Sequence, residues 1–248
     1  MKGEIQNIRV VLSVVMLLFT VGSYAKPNMD ATIATNHLWR GGEVASGLVV
    51  TSSLSISDPK EHFTAGFWGG MNTEGEYKEF NNFVSYRYER LSFELWDTYN
   101  FSTFATYNNE EFFNYDPATT GRFLDATLRY RCPDKFPILL SWSTVLFGRD
   151  RNSDNTENRY STFCYVEYPL YNKNEWSAEG GLGAAFAINP EPSGANFYGT
   201  KSGIVHITLK VTNRVQIRNY TLPISVLTMW NPQSDKAYFQ LAAQLFSF

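Results

Sequence analysis

The sequence contains little cysteine, little histidine and no marked excess of either charge. Its 248 residues include two Cys and three His, and its formal net charge is −3. Two cysteines exclude a small domain stapled by several disulfides, and the mildly acidic balance argues against a nucleic-acid partner. The sequence shows no metal-ligand spacing, no glycine-rich phosphate loop and no histidine placed beside a nucleophile. We therefore predict no enzymatic activity, no cofactor and no metal site.

Long hydrophobic runs are also scarce. One run extends from Val10 to Val21, after two basic residues and before the small-residue site Ser23-Tyr24-Ala25. Its length of about a dozen residues is too short for a membrane-spanning helix, which needs roughly 20. The basic residues, the apolar run and the small residues together form a secretory signal. We predict a cleaved signal peptide over 1–25 and one exported domain over 26–248.

Aromatic residues and alternating patterns, by contrast, are abundant. Phe, Trp and Tyr make up 16% of the chain. Apolar residues alternate with polar or charged ones through Phe123–Arg131, Val205–Val211 and Leu91–Trp96. A period of two places the two sets on opposite faces of a β-sheet. Strands of about ten residues with one apolar and one polar face suit a barrel that has lipid outside and water inside.

The alternation predicts about twelve strands, joined in turn by tight turns and by longer segments. The longest connections, Asn100–Ala118, Gly148–Asn158 and Asn189–Ser202, are all odd-numbered. Outer-membrane barrels have short periplasmic turns and long outer loops. We therefore predict an all-β, antiparallel up-and-down transmembrane barrel of about 12 strands in a bacterial outer membrane. The predicted strands are Asp30–Arg40, Leu48–Ile56, Phe63–Gly70, Glu79–Tyr88, Leu91–Tyr99, Thr119–Arg131, Pro137–Phe147, Arg159–Leu170, Trp176–Ile188, Gly203–Val211, Val215–Trp230 and Lys236–Phe248.

Short aromatic segments are spread over most of the mature chain. They include Leu38-Trp39-Arg40-Gly41, Gly66-Phe67-Trp68-Gly69, Tyr77–Tyr86 and Tyr165–Pro169. In these segments the chain resembles the TorF-type porins and related uncharacterised outer-membrane β-barrels. The resemblance implies an outer-membrane location more directly than it implies transport. The terminal Phe248 resembles the signal through which such barrels engage the barrel-assembly machinery, so this machinery and membrane lipid are the predicted partners.

If the apolar faces meet lipid, charged side chains of both signs point into the lumen. Such groups either pair across the lumen and close it, or line a wet path for ions and small polar solutes. The aromatic third outer loop offers a candidate constriction, formed by Phe104, Tyr107, Glu110 and Glu111. We favour packing of this loop on the rim, with the constriction as the alternative. The candidate lumen-lining residues are Arg40, Glu79, Arg87, Glu94, Asp125, Arg129, Glu167, His206 and Lys210.

The preferred functional hypothesis is a porin-like passive channel for small polar or ionic solutes. The alternative is a closed structural or surface-binding barrel whose long outer loops engage a partner. The tryptophans fall mostly near predicted strand ends, which favours anchoring at the membrane interfaces over carbohydrate stacking. The lipid-facing side of the last strand is ambiguous, because the alternating apolar residues of Phe239–Leu245 compete with Phe246 and Phe248.

Overall fold

Twelve antiparallel strands follow one another in chain order around a closed barrel, and the first strand pairs with the last. The computed structural model describes residues 25–248, so the predicted signal peptide lies outside the described residues, apart from Ala25. The predicted all-β, antiparallel up-and-down barrel of about 12 strands is confirmed. Within residues 25–248, no helix is long and apolar enough to cross a membrane.

Two short strands, β2 (His37–Trp39) and β3 (Gly42–Ala45), form a separate two-stranded sheet. In the chain they lie between the first two barrel strands. The barrel strands themselves are between 9 and 15 residues long. Tilted strands of about this length are sufficient to cross the hydrocarbon core of a bilayer. The barrel strands are β1 Lys26–Ala34, β4 Val49–Ser57, β5 Phe63–Asn72, β6 Lys78–Tyr88, β7 Leu91–Asn100, β8 Phe123–Arg131, β9 Leu139–Gly148, β10 Ser161–Lys173, β11 Trp176–Ala187, β12 Gly203–Ile217, β13 Tyr220–Asn231 and β14 Lys236–Ser247.

The barrel wall has an apolar outer face and a polar inner face. Val211 pairs with Val226, and Val226 pairs with Leu241, so these three residues of β12, β13 and β14 share one face. Leu241 is exposed, which identifies this face as the outer one. Because side chains alternate along a strand, the next row points inward. That row consists of Thr212, Ser225 and Ala242.

The connections differ strongly between the two ends of the barrel. The four longest, 35–48, 101–122, 149–160 and 188–202, all lie at one end, which we call the long-loop end. The long-loop end also carries two short connections, 73–77 and 232–235, and the opposite end, the short-turn end, carries only short ones, at 58–62, 89–90, 132–138, 174–175 and 218–219. The predicted alternation of short and long links is therefore present in the structure.

The predicted turn at Thr212–Arg214 is wrong, because β12 runs on to Ile217. The pairing of β12 with β13 continues without a break down to Ile217, which lies opposite Tyr220. The reversal occurs at residues 218–219, where Arg218 has a φ of 57°. A left-handed residue in a two-residue loop is the conformation that a tight β-hairpin needs. The polar residues at 212–214 look like a turn in the sequence, but they belong to a long strand.

The first strand is also shorter than predicted, because it ends at Ala34 and not at Arg40. The segment beyond it forms the β2–β3 hairpin, which we call the lumenal hairpin, residues 37–45. Arg40 and Gly41 have φ values of 42° and 94°, so both adopt the left-handed conformation of a tight turn. The chain leaves the wall at the bends of Thr35 and Asn36, and this reversal turns it back at the tip of the hairpin.

A bulge resolves the ambiguity of the last strand. Ile33 pairs with Ala243, whereas Ala31 pairs with Phe246, so β14 carries one extra residue against β1 at this point. Ile33 and Ala31 are two residues apart on β1 and therefore share a face. The extra residue shifts the alternation of β14 by one position. As a result, both competing apolar sets of the last strand lie on the outer face of the barrel.

Candidate functional site

The tip of the lumenal hairpin crosses the barrel and binds the far wall. Arg40 lies after β1 in the chain, yet it donates two hydrogen bonds to Asp125 of β8, at 2.6 and 2.8 Å. In the ring of strands, β8 lies nearly opposite β1. Arg40 also donates to the hydroxyl oxygen of Tyr198, in loop 188–202, at 2.7 Å. A two-point arginine–carboxylate contact is among the stronger and more directional of polar interactions, so it fixes the position of the tip.

Aromatic rings and a close backbone contact hold the hairpin as well. The ring of Trp39 contacts Phe123 and Phe197, with centroids 5.9 and 6.1 Å apart. A Cβ atom at Gly41 would lie only 2.2 Å from the carbonyl oxygen of Val205, so the tip has room for glycine alone. The hairpin is therefore packed against β8 on one side and β12 on the other.

A cavity of about 720 Å³ lies beside the lumenal hairpin. It is bounded by the hairpin, by strands β5 to β8 and by the first part of loop 101–122. Its surface contains both aromatic rings and charged groups. The lining residues with rings or charges include Trp39, Arg40, Glu43, Trp68, Glu76, Tyr77, Glu79, Glu94, Trp96, Phe104, Tyr107, Asp125, Arg129 and Arg149.

Charged side chains pair on the cavity wall. Arg129 of β8 donates a hydrogen bond to Glu94 of the neighbouring strand β7. The indole N–H of Trp96 donates to the same carboxylate at 3.1 Å. The Trp96 ring in turn stacks on Phe83, with centroids 4.6 Å apart and an angle of 20° between the planes. The wall thus combines an ion pair with a flat aromatic surface.

The structure brings several of the predicted site residues together around this cavity. Five candidate lumen-lining residues and two candidate constriction residues line it. They are Arg40, Glu79, Glu94, Asp125 and Arg129, together with Phe104 and Tyr107.

Other predicted residues lie elsewhere. The His206 ring packs against Phe163 and Tyr165, with centroids 5.6 and 5.4 Å apart, on the other side of the lumen. The Tyr165 hydroxyl donates to Glu167 at 3.1 Å, so that carboxylate also belongs to the β10 side of the barrel. By their position in the alternation, Arg87 and Lys210 face inward, outside the cavity lining.

Glu110 and Glu111 do not line the cavity. Glu111 accepts hydrogen bonds from Asn108 and Asn114 at 2.6 and 2.8 Å, which folds this part of loop 101–122 back on itself. The part of the loop that borders the cavity is the earlier one, with Phe104 and Tyr107.

Three tryptophans are part of the cavity and were missed as site residues. Trp39, Trp68 and Trp96 line it, so the interfacial interpretation is wrong for them. The alternation of Leu91–Trp96 carried a signal, because it places Trp96 on the same face as Glu94. Trp142, Trp176 and Trp230 are exposed and fit the interfacial interpretation better.

Loop 101–122 lies over both sides of the barrel rim. Its later part covers the outer wall, where Arg122 is only 1% exposed. Arg122 donates to Asp97 of β7 at 2.9 and 2.7 Å and to the carbonyl oxygen of Phe112 at 2.6 Å. The guanidinium also lies 4.8 Å from the centre of the Tyr115 ring. This buried cluster attaches the loop to the wall.

The chain matches no protein-family model, and a search of curated proteins finds no match. Two solved structures are similar in overall shape. One is a bacterial polysaccharide outer membrane secretin, at 12% identity and a TM-score of 0.36, with 89% of this chain and 96% of that chain covered. The other is the outer membrane channel DcaP of Acinetobacter baumannii, at 9% identity and a TM-score of 0.39, with 92% and 98% covered. Likeness at this level carries no argument about function, and the TorF-type resemblance stays a prediction.

Proposed function

We propose that this protein is an outer-membrane β-barrel that conducts small polar or ionic solutes through a lumen narrowed by the lumenal hairpin. The observation that carries the proposal is the polar inside of the closed barrel, with a cavity of about 720 Å³ lined by both signs of charge. A wall that is apolar outside and charged inside suits a barrel surrounded by lipid and filled with water.

The loop lengths support an orientation. In outer-membrane barrels the short turns face the periplasm and the long loops face the outside. The long-loop end would therefore be the outer mouth, and the cavity beside the lumenal hairpin would be the first part of the lumen that a solute meets.

An arginine on the outer face is expected to destabilise the barrel more than one on the inner face. Val226 and Ser225 are adjacent near the middle of β13 and point outward and inward, respectively. Val226→Arg should lower the free energy of unfolding of the protein in lipid vesicles by about 2–4 kcal/mol, because the charge would lie in hydrocarbon. Ser225→Arg, the matched control, should cost clearly less. Urea titration of vesicle-inserted protein measures both, and equal costs would contradict the lipid-facing assignment.

The Glu94–Arg129 pair is expected to set ion selectivity. Glu94→Gln leaves the Arg129 charge without its partner, so selectivity should shift towards anions, and Arg129→Gln should shift it towards cations. The double variant removes both charges and should return close to the wild type. Reversal potentials across a planar bilayer in a salt gradient measure these shifts. Shifts of the same sign in the two single variants would exclude this pair as a selectivity element.

Because the lumenal hairpin occupies part of the lumen, a second candidate function is a closed barrel that binds a partner through its loops. Phe104 and Phe113 of loop 101–122 are 75% and 83% exposed, which leaves apolar side chains for a partner to cover. Single-channel recording of the folded barrel separates the two candidates, with heat-modifiable gel mobility as the check on folding. Reproducible conducting steps support the channel, whereas an electrically silent folded barrel supports the binding protein.

A further inference from the structure

Arg149, directly after β9, is a cation that forms no direct ion pair within residues 25–248. Its guanidinium carbon lies 3.7 Å from the centre of the Tyr107 ring and 5.0 Å from that of Phe197. Among the described residues, no carboxylate forms an ion pair with it, and its buried Nε has no hydrogen-bond partner. Burial lowers the pKa of Arg149, but a guanidinium stays protonated in proteins. The aromatic rings therefore hold a full positive charge at the edge of the cavity.

Glu79, on the inner face of β6, is the converse case. Its carboxylate accepts hydrogen bonds from the side-chain amides of Asn81 and Asn100 at 2.8 and 3.1 Å. Within the described part of the chain, it has no cation at ion-pair distance. These neutral amides form hydrogen bonds with the carboxylate oxygens but do not balance the negative charge of Glu79. Glu79 and Arg149 line the same cavity and their opposite charges attract each other, but they form no direct ion pair.

Most other charges around the cavity already have partners. Arg40 pairs with Asp125, and Arg129 pairs with Glu94. Burial lowers the pKa of His37 and so disfavours its charged form, although the nearby Glu79 acts in the opposite direction. Two exposed rim residues, Glu43 and Glu76, complete the set of lining acids. An anion would thus meet uncompensated carboxylates, and a cation would meet the Arg149 charge.

Flat aromatic surfaces line the same cavity as these charges. Gly70 leaves room for the Trp68 ring, since a Cβ atom there would lie 2.8 Å from it. Trp96 offers a second ring, stacked on Phe83. A volume of about 720 Å³ is in the range of pockets that hold small molecules, which combine aromatic walls with a few fixed polar groups.

We propose that this cavity binds a zwitterionic solute of the amino-acid type. Its carboxylate would pair with Arg149 and its ammonium group with Glu79, and an apolar or aromatic side chain would lie against Trp68 and Trp96. Such a ligand supplies both missing countercharges at once. The binding site itself does not depend on the proposed channel function. Its role does, because in a channel this site would be the selective entrance of the lumen.

Three related probes test this proposal on the purified, folded barrel in detergent. Phenylalanine carries both charges, phenethylamine lacks the carboxylate, and 3-phenylpropionate lacks the ammonium group. Titration followed by tryptophan fluorescence and by calorimetry gives the dissociation constants. Phenylalanine should bind roughly ten- to hundredfold more tightly than either analogue, because each lost charged contact costs about 1.5–3 kcal/mol. Equal affinities for the three probes, or no binding of phenylalanine, would overturn the proposal.

Variants assign the two charges. Arg149→Gln should bind phenylalanine and phenethylamine equally, and Glu79→Gln should bind phenylalanine and 3-phenylpropionate equally. Lys210→Gln and Glu167→Gln, which remove lumenal charges outside the cavity, are the controls and should leave all affinities unchanged. Loss of discrimination in the controls would contradict the assignment. The binding assay needs no membrane, so a silent barrel that binds phenylalanine overturns the channel and not the site.

Discussion

Replacing the lumenal hairpin, residues 37–45, by a short glycine-serine link is expected to raise single-channel conductance several-fold. The hairpin spans the lumen between β1 and β8, where Arg40 binds Asp125. Its removal takes away a segment that crosses the path that we propose for solutes, and conductance rises with the free cross-section of a pore. Planar-bilayer recording of the folded variant measures the change. An unchanged conductance step in a barrel with normal heat-modifiable mobility would show that the hairpin does not limit the pore.

Point variants separate the contacts that hold the hairpin. Arg40→Ala removes the contact with Asp125 but keeps the Trp39 packing, so we expect frequent transitions between conductance levels and not a uniformly wider pore. Gly41→Val forces side-chain atoms against the carbonyl oxygen of Val205 and should displace the tip more completely. Arg218→Ala, in a tight turn at the short-turn end, is the control, and its single-channel conductance should equal that of the wild type.

The barrel could be predicted from the sequence because its determinant is local. A period of two is visible within each strand, and the order of short and long links needs no knowledge of contacts. The outer row of Val211 and its neighbours on β13 and β14 follows directly from that pattern. Membrane barrels favour this kind of prediction, since every strand is a wall strand with one face in each environment.

The lumenal hairpin could not be predicted in the same way. Its position depends on Asp125 and Tyr198, which lie 85 and 158 residues further along the chain than Arg40. Local alternation through Trp39 looked like the continuation of β1, whereas the strand is broken by the bends at Thr35 and Asn36 and the chain reverses at the two left-handed residues of the tip. The bulge in β14 was hidden for a similar reason, because one extra residue changes which side chains share a face.

The candidate site was predictable in part. The acids and bases on the inner rows of β6 to β8 followed from the alternation, and Glu79, Glu94 and Arg129 line the cavity. The role of Arg149 did not follow, because it lies in a loop and its surroundings come from other loops. Its partner rings, Tyr107 and Phe197, are 42 residues before it and 48 residues after it. Loops have no period from which such contacts could be read.

Arg122→Ala is expected to lower the free energy of unfolding by about 3–5 kcal/mol, the usual cost of removing one partner of a buried ion pair. Asp97 would lose its only ion-pair partner among the described residues and would stand as an uncompensated charge on the outer wall. The Phe112 carbonyl oxygen would lose its hydrogen bond as well. Loop 101–122 should then leave the wall, which limited proteolysis within the loop detects, while urea titration measures the stability.

The double variant Arg122→Leu with Asp97→Leu decides whether the charge or the packing matters. Apolar replacement of both partners of a buried pair is often close to neutral, because no charge is left without a partner. We therefore expect the double variant to be clearly more stable than Arg122→Ala and to keep the loop resistant to protease. The exposed Lys26–Glu61 pair, at 2.6 Å, is the matched control, and Lys26→Ala should change stability little. A double variant as unstable as the single one would instead assign the effect to the rings of Tyr99, Phe112 and Tyr115 around the guanidinium.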